Sequence, residues 1–129
     1  NYQRGVEALL ENDIETGLEY LNKELEESPK NGYACLWIGI GRSALQEYGK
    51  AFTALNKAMQ YLPKKDATYY SYAYVVRAQV HLELEDSIAA LEDLNKAIKI
   101  NPTSENYYEQ RGDLLFYLKF LNFLVLLEI

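Results

Sequence analysis

The sequence predicts an all-α fold in which antiparallel helix hairpins stack side by side as a solenoid. Three series of residues recur along the 129-residue chain at intervals of 34 and then 39 residues. A period of this length is typical of an array built from one two-helix unit, in which each unit packs on its neighbours. The series are a Leu-Asn-Lys triplet beginning at Leu21, Leu55 and Leu94, the prolines Pro29, Pro63 and Pro102, and the small residues Gly5, Gly39, Ala78 and Gly112.

Within each unit the pattern predicts two helices joined by a short break. In the second unit, residues 33–45 and 49–62 contain no proline, and their apolar residues recur at helical spacing. Breaks are expected at residues 11–13, 46–49 and 83–86, where the apolar pattern is interrupted. Each proline ends the second helix of its unit, because proline lacks a backbone N–H and disfavours the α conformation in the residue before it. The expected N-caps of the following helices are Asn31, Asp66 and either Thr103 or Ser104.

These residues resemble the tetratricopeptide repeat family, whose 34-residue unit is a helix-turn-helix. The resemblance implies a right-handed α-solenoid in one domain. Its units would be about 1–31, 32–65, 66–104 with a five-residue insertion, and 105–129, which is incomplete. The residues that carry the resemblance are Gly39, Ala51, Leu55, Ala58 and Pro63 in the second unit and Tyr74, Ala78, Ala90, Leu94, Ala97 and Pro102 in the third.

The resemblance implies a function in binding, with the ligand held in a groove. In the family, the first helices of successive units line a concave surface that holds a peptide or protein ligand. Most groove positions here are apolar or aromatic, which predicts a ligand with apolar side chains held by anchors such as Trp37 and Tyr33. The alternative is that many of these residues pack against neighbouring helices. The positions are Tyr2, Val6, Leu9, Tyr33, Leu36, Trp37, Ile40, Tyr72, Val75, Val76, Gln79, Glu109, Asp113 and Phe116.

Chaperone-binding members of the family hold a C-terminal carboxylate with Lys, Arg and Asn at several of these positions. We expect this carboxylate clamp to be absent, because the corresponding residues are Tyr2, Val6, Trp37, Tyr72 and Val76. The sequence therefore predicts a non-enzymatic scaffold whose partner is a protein or peptide.

The interval of 39 residues places five extra residues between Pro63 and Tyr72. With Asp66 as N-cap, they would lengthen the first helix of the third unit by about 1.4 turns at 3.6 residues per turn. Tyr69 and Tyr70 would stand on this extension. One interpretation packs them against the end of the preceding helix. The other makes them a tyrosine-rich rim for a ligand, since tyrosine offers a large area and a hydroxyl group.

Residues 114–129 depart from the repeat pattern where an amphipathic second helix is due. The segment is apolar on nearly every side, and a helix of this kind must be buried by something. Its sixteen residues fall short of the roughly 20 needed to span a bilayer. Three interpretations remain: pairing with a second copy of the chain to form a homodimer, folding back on the chain itself, and contact with a membrane. If the protein continues, a further repeat would cover the segment.

Charge and composition exclude several classes of function. The net charge of −6 argues against nucleic acid and anionic lipid as partners. Residues 1–31 hold eight acidic against three basic residues, which predicts a solvated acidic face or, alternatively, a site for a basic partner. One cysteine and one histidine supply neither an internal disulfide nor a set of metal ligands, so we expect no metal and no cofactor.

Candidate catalytic residues are few. His81 is expected to pair with Glu85 four residues later, and Cys35 to be an inert packed thiol. Carboxylates are expected at helix ends and on exposed faces, where nothing raises their pKa. The sequence contains no HExxH, GxSxG or glycine-rich phosphate motif, which favours a non-enzymatic role. The compartment stays open, with the cytoplasm slightly favoured. Because residue 1 is Asn rather than Met, we expect a fragment, with any targeting signal outside it.

Overall fold

Prolines and capping residues set the ends of the helices. The computed structural model describes residues 1–128, and within this range it contains seven α-helices and no strand. One helix of each successive pair ends shortly before a proline of the repeated series. The helices are α1 (Tyr2–Leu10), α2 (Ile14–Glu27), α3 (Gly32–Ala44), α4 (Tyr48–Tyr61), α5 (Ala67–Glu83), α6 (Ser87–Ile100) and α7 (Glu105–Glu128).

The predicted N-caps are confirmed at α3 and α5. The Asn31 side chain accepts a hydrogen bond from the backbone N–H of Ala34, and Asp66 accepts one from that of Tyr69, both at 3.2 Å. At α7 the cap is Ser104 rather than Thr103, since its Oγ lies 3.4 Å from the Tyr107 nitrogen. These bonds satisfy N–H groups that have no partner within the helix.

The break inside each hairpin contains one residue with a left-handed backbone. Asn12, Gln46 and Glu85 have φ values of 66°, 61° and 61°, and they recur at the repeat intervals. Asparagine adopts this conformation more readily than most residues, whereas glutamine and glutamate carry no such signal. The breaks are also shorter than predicted, because Tyr48 already begins α4 and Glu83 still belongs to α5.

The series of small residues lets paired helices approach closely. A Cβ atom added at Gly5 would lie 2.6 Å from Cγ of Leu21, and one at Gly39 would lie 2.6 Å from Cδ2 of Leu55. Both leucines are fully buried and begin Leu-Asn-Lys triplets. The small residue and the leucine therefore recur at the same intervals because they touch across one hairpin.

The core follows the stack as three successive clusters of buried side chains. Each cluster contains the leucine of one triplet, Leu21, Leu55 or Leu94. All three leucines have no exposed surface. Helix contacts are mainly between neighbours along the chain, as in a solenoid.

The insertion lengthens α5, which has 17 residues against 13 in α3. Four of the five extra residues are therefore helical, and the fifth lies in the turn after Pro63. Tyr70 packs against the cluster that contains Leu62, in agreement with the packing interpretation. Tyr69 remains 37% exposed.

The chain departs from the hairpin pattern after residue 114. Residues 105–128 form one uninterrupted helix, α7, whose described residues from Leu115 onward are exposed except for the half-buried Leu118. Folding back on the chain is thus excluded for residues 115–128, while Ile129 lies outside the described residues. Within residues 1–128 no helix combines the length and the apolar character needed to cross a membrane.

Candidate functional site

The first helices of the hairpins lie side by side and form one surface. Helix α1 contacts α3, and α3 contacts α5, in addition to the contacts within each hairpin. Elements on the inner side of a curved stack lie closer together than those on the outer side. This inner surface, formed by α1, α3, α5 and the first half of α7, is called the groove below.

Aromatic side chains gather where α1, α3 and α5 meet. The rings of Tyr33 and Tyr69 contact edge to face, with 5.2 Å between their centroids. The Tyr33 hydroxyl donates a 2.7 Å hydrogen bond to Oδ2 of Asp66, the residue that caps α5. Tyr2 and Trp37 both pack against the core cluster that contains Leu21, and both remain half-buried. The fold thus holds the tyrosine ring on the insertion against a ring from the preceding unit.

Three tyrosines of the groove have a pKa above the ordinary value of the side chain. The hydrogen bond to Asp66 raises the pKa of Tyr33, since it stabilises the protonated hydroxyl. Burial raises the pKa of Tyr2 and of Tyr72, because the charged phenolate loses solvation. Tyr72 is also 38% exposed, so its hydroxyl can reach a ligand as donor or acceptor.

Three of the predicted groove residues do not reach the surface. Leu36 and Val75 have no exposed surface, and Val76 is 3% exposed. They belong to the core clusters, because α3 and α5 pack closely enough to bury the residues between them. The prediction that these three contact a ligand is therefore wrong, and packing against neighbouring helices accounts for them.

The other predicted positions remain accessible to different degrees. Apolar residues of α1 and α3 are half-buried, whereas the positions on α5 and α7 are exposed and more polar. The half-buried residues are Tyr2, Val6, Leu9, Tyr33, Trp37 and Ile40, and the exposed ones are Tyr69, Tyr72, Gln79, Glu109, Asp113 and Phe116. The groove is thus aromatic at α1, at α3 and at the start of α5, and at α7 it adds the acidic Glu109 and Asp113 beside the exposed Phe116.

One polar atom at the aromatic end is buried without a partner. No hydrogen-bond acceptor within residues 1–128 pairs with the indole Nε1 of Trp37. A buried N–H without an acceptor is unfavourable. At the other end of the groove, a hollow of about 330 Å³ lies between α5 and α7, lined by Leu82, Asp113 and Tyr117 among others.

A polar cluster that the sequence did not reveal joins α5 and α6. Asp93 is 3% exposed, and both its oxygens accept hydrogen bonds from Arg77, at 2.8 Å from Nε and 2.7 Å from Nη2. The expectation that carboxylates avoid the interior is wrong at this residue. Nε2 of His81 lies 3.6 Å from Oδ2 of Asp93, and its ring contacts the ring of Phe52 at a tilt of 46°. The predicted pairing of His81 with Glu85 is therefore wrong.

The remaining chemistry is sparse in the described residues. Cys35 is 1% exposed, and burial raises the pKa of its thiol, as expected of an inert packed cysteine. Residues 1–128 contain no group of three or more His, Cys, Asp or Glu side chains placed to hold a metal ion.

Comparison with known proteins supports the interpretation of the fold. No family model matches the sequence. Anaphase-promoting complex subunit 3 of Dictyostelium discoideum is 27% identical over 104 residues, which cover 81% of this chain and 10% of that protein. This chain therefore spans about a tenth of the length of that relative.

Two solved structures of similar size share the arrangement of helices. The first TPR of Spaghetti (RPAP3) bound to the HSP90 peptide SRMEEVD has a TM-score of 0.81 at 14% identity, covering 92% of this chain and 90% of that chain. The TPR2B domain of yeast Sti1 in a pHsp70 complex has a TM-score of 0.75 at 17% identity, covering 88% and 89%. Together with the repeated series, these likenesses show that the chain is a helical-repeat solenoid with the tetratricopeptide repeat fold.

Proposed function

We propose that the protein is a non-enzymatic scaffold that binds a peptide or protein segment with apolar side chains in the groove. One observation carries the proposal. Five aromatic residues stay exposed or half-buried on the surface shared by α1, α3 and α5, although the core beside them is closely packed: Tyr2, Tyr33, Trp37, Tyr69 and Tyr72. Aromatic anchors of this kind dominate the binding energy of many protein interfaces.

The chemistry of the groove favours apolar side chains over a terminal carboxylate. Two neighbours with the same fold are bound to chaperone peptides. The residues at the clamp positions here include Val6, Trp37 and Tyr72, and none of the five carries a positive charge. A carboxylate placed among them would lose its hydration without gaining an ion pair, which costs several kcal/mol.

An extended segment fits this surface better than a compact one. Its apolar side chains would pack on the tyrosine rings, and its backbone carbonyls would accept hydrogen bonds from hydroxyls such as that of Tyr72. Gln79 and Asp113 at the far end would receive the polar part of the segment.

The test uses peptides selected from a random twelve-residue phage library on the immobilised chain and then measured by fluorescence polarisation. We expect Trp37→Ala and Tyr33→Ala each to weaken the best peptide at least about tenfold, as hot-spot truncation does. Tyr108→Ala is the matched control, since Tyr108 is 43% exposed but lies beside Arg111 rather than in the aromatic cluster. Unchanged affinity in both variants, with intact circular dichroism, would refute the groove.

The exposed second half of α7 supports a second candidate, self-assembly of the chain. Ten large apolar residues between 115 and 127 are each at least 38% exposed. Exposed apolar surface of this extent marks an interaction site. A homodimer through residues 114–129 would bury it. The residues are Leu115, Phe116, Tyr117, Phe120, Leu121, Phe123, Leu124, Val125, Leu126 and Leu127.

Light scattering separates the two candidates. We expect the chain of 129 residues to dimerise and a version that ends at Leu118 to be monomeric, if α7 is the contact between copies. The shortened version keeps Leu114 and Tyr107, the two buried residues of α7, so its core contacts are preserved. A monomer in both cases refutes self-assembly and leaves the groove unaffected.

A further inference from the structure

The boundaries between successive hairpins can be compared residue by residue, because the repeat intervals align them. The second boundary lies between the second and third units, where α4 meets α5. There, Nη1 of Arg77 donates a 2.9 Å hydrogen bond to Oδ1 of Asn56 in the triplet of the preceding unit. The same guanidinium lies over the ring of Tyr74, 5.6 Å from its centroid. A tyrosine, an arginine and an asparagine thus fill this boundary.

The third boundary repeats the arrangement. Nη1 of Arg111 donates a 3.1 Å hydrogen bond to Oδ1 of Asn95, and its guanidinium lies 5.3 Å from the ring centroid of Tyr108. These residues follow Asn56, Arg77 and Tyr74 by one repeat interval. The set of three side chains is therefore a recurring way of closing the space between units.

The first boundary lacks this set. Cys35 stands where the next unit has Tyr74, Ile38 stands in place of Arg77, and Ala54 stands in place of Asp93. All three replacements are smaller side chains, and no arginine faces Asn22. A cleft of about 240 Å³ opens here, lined by these four residues and by neighbours from α2, α3 and α4.

The rim of the cleft is basic although the chain as a whole is acidic. Arg42, Lys50 and Lys57 line it. Glu47 accepts hydrogen bonds from the first two, at 2.8 Å and 3.2 Å, which leaves a net charge of two positive units from these four groups. Within residues 1–128, Lys57 forms no ion pair. The rim therefore attracts a carboxylate.

The second boundary shows how an aromatic ring would be held in this space. Lys96, which corresponds to Lys57, has its Nζ 5.7 Å from the centroid of the Tyr74 ring. A ring inserted beside Cys35 would occupy the position of Tyr74 and lie beneath Lys57. Cation–π attraction and burial against Ile38 and Ala54 would both favour it.

We propose that the cleft between the first two units binds the ring of a tyrosine or phenylalanine that adjoins an acidic residue in a partner polypeptide. The ring takes the place that Tyr74 fills at the next boundary, and the carboxylate meets Lys57 on the rim. This site lies on α2, α3 and α4, apart from the aromatic cluster of the groove, and its existence does not depend on the groove.

The probe is the peptide acetyl-Gly-Asp-Tyr-Asp-Gly-amide, titrated into the ¹⁵N-labelled chain. We expect the largest shifts of amide signals at Asn22, Ile38, Thr53 and Ala54, which line the cleft. Cyclohexylalanine in place of the tyrosine removes the cation–π contact, and asparagine in place of both aspartates removes the negative charge. Each of these changes to the peptide should weaken binding about threefold to fivefold. Shifts confined to the groove, or none, overturn the proposal.

Variants of the chain make the test specific. Lys57→Gln should weaken the peptide about tenfold, because it removes both the cation–π contact with the ring and the partner of the carboxylate. Its matched control Lys96→Gln should leave the affinity unchanged, since Tyr74 already occupies the second boundary. Cys35→Tyr should fill the cleft and abolish binding. Equal effects of the two lysine variants overturn the proposal. It is also overturned if the chain binds free 4-hydroxyphenylacetate but does not bind the peptide.

Discussion

Arg77 and Asp93 form a bidentate ion pair that connects α5 to α6, with nitrogen-to-oxygen distances of 2.8 Å and 2.7 Å. The carboxylate is almost fully buried, whereas the arginine keeps 23% of its side chain exposed. Two parallel hydrogen bonds between a guanidinium and a carboxylate are stronger than single ones. The pair also positions Arg77 to reach Asn56 of the preceding unit. One buried acid thus orders a contact within a hairpin and a contact between hairpins.

Removing the arginine should expose the cost of this buried charge. We expect Arg77→Ala to lower the free energy of unfolding in urea by about 3 kcal/mol, because it leaves Asp93 buried with only His81 nearby. Arg111→Ala, at the equivalent position without an acidic partner, should cost less than about 1 kcal/mol. The double variant Arg77→Ala/Asp93→Leu should be more stable than Arg77→Ala alone. Equal losses at Arg77 and Arg111 would contradict this account.

Two glycines at equivalent positions should respond oppositely to alanine. A Cβ at Gly39 would lie 2.6 Å from buried Leu55, whereas one at Gly112 has nothing within 4 Å. We expect Gly112→Ala to stabilise the chain by about 1 kcal/mol through helix propensity. Gly39→Ala should destabilise it by about 1 kcal/mol, since overpacking exceeds that gain. Thermal unfolding followed by circular dichroism measures both, and a melting temperature raised by Gly39→Ala would show that Leu55 can give way.

The link between Tyr33 and Asp66 can be measured against a second cap. Asp66 caps α5 and also accepts from the Tyr33 hydroxyl, whereas Asp86 caps α6 through Ala89 alone. We expect Asp86→Ala to cost about 1 kcal/mol and Asp66→Ala about 1 kcal/mol more. In the Tyr33→Phe background the two costs should become similar, as determined by urea unfolding. If Asp66→Ala still costs more than Asp86→Ala in the Tyr33→Phe background, the additional loss of stability comes from another contact of Asp66.

Alkaline pH should destabilise the chain through Tyr74. Burial, and then the neighbouring Tyr70, raises the pKa of Tyr74 to about 12 from 10.0. Between these values the folded state binds more protons than the unfolded state, so the stabilising contribution is complete below pH 10 and is lost as the pH rises toward 12. Tyr74→Phe should reduce the loss of stability over this range. A pH titration followed by absorbance at 295 nm should show that the tyrosine ionisation at the highest pH disappears in the variant. If that ionisation persists, it belongs to another tyrosine.

The three repeated series predict most of the fold, because each series corresponds to a contact between helices or to the end of a helix. Gly39 and Leu55 recur together since they touch, and Pro63 marks where the second helix must end. Asp66 is recognisable as a cap from its place before a helical run. Local chemistry of this kind needs no knowledge of distant residues, which is why it can be read from the chain.

Contacts that depend on how helices pack could not be predicted in this way. The groove positions Leu36 and Val75 are buried because α3 and α5 approach closely, and no spacing in the sequence reveals that distance. The pairing of Asp93 had one unused signal. It stands where the preceding unit has Ala54, a buried position, and a charge in a buried register position requires a partner.

The end of α7 could be predicted only in part. Residues 117–120, where the turn of the fourth hairpin was due, contain no glycine, proline, asparagine or aspartate. With nothing to interrupt the helix, it continues to Glu128. The sequence signalled an unusual segment, and residues 117–120 include none of the residue types that commonly form a turn.

The uninterrupted α7 has a consequence for the distribution of amide protection along the chain. Its residues from 115 onward rest almost entirely on hydrogen bonds within the helix, whereas those of α3 to α6 are also sealed by side chains packed on both neighbours. A helix without such packing opens segment by segment at little cost. Deuterium should therefore enter residues 115–128 of the isolated monomer within seconds and the middle helices only through much larger openings. Any occupant that covers α7 would reveal itself by slowing that exchange.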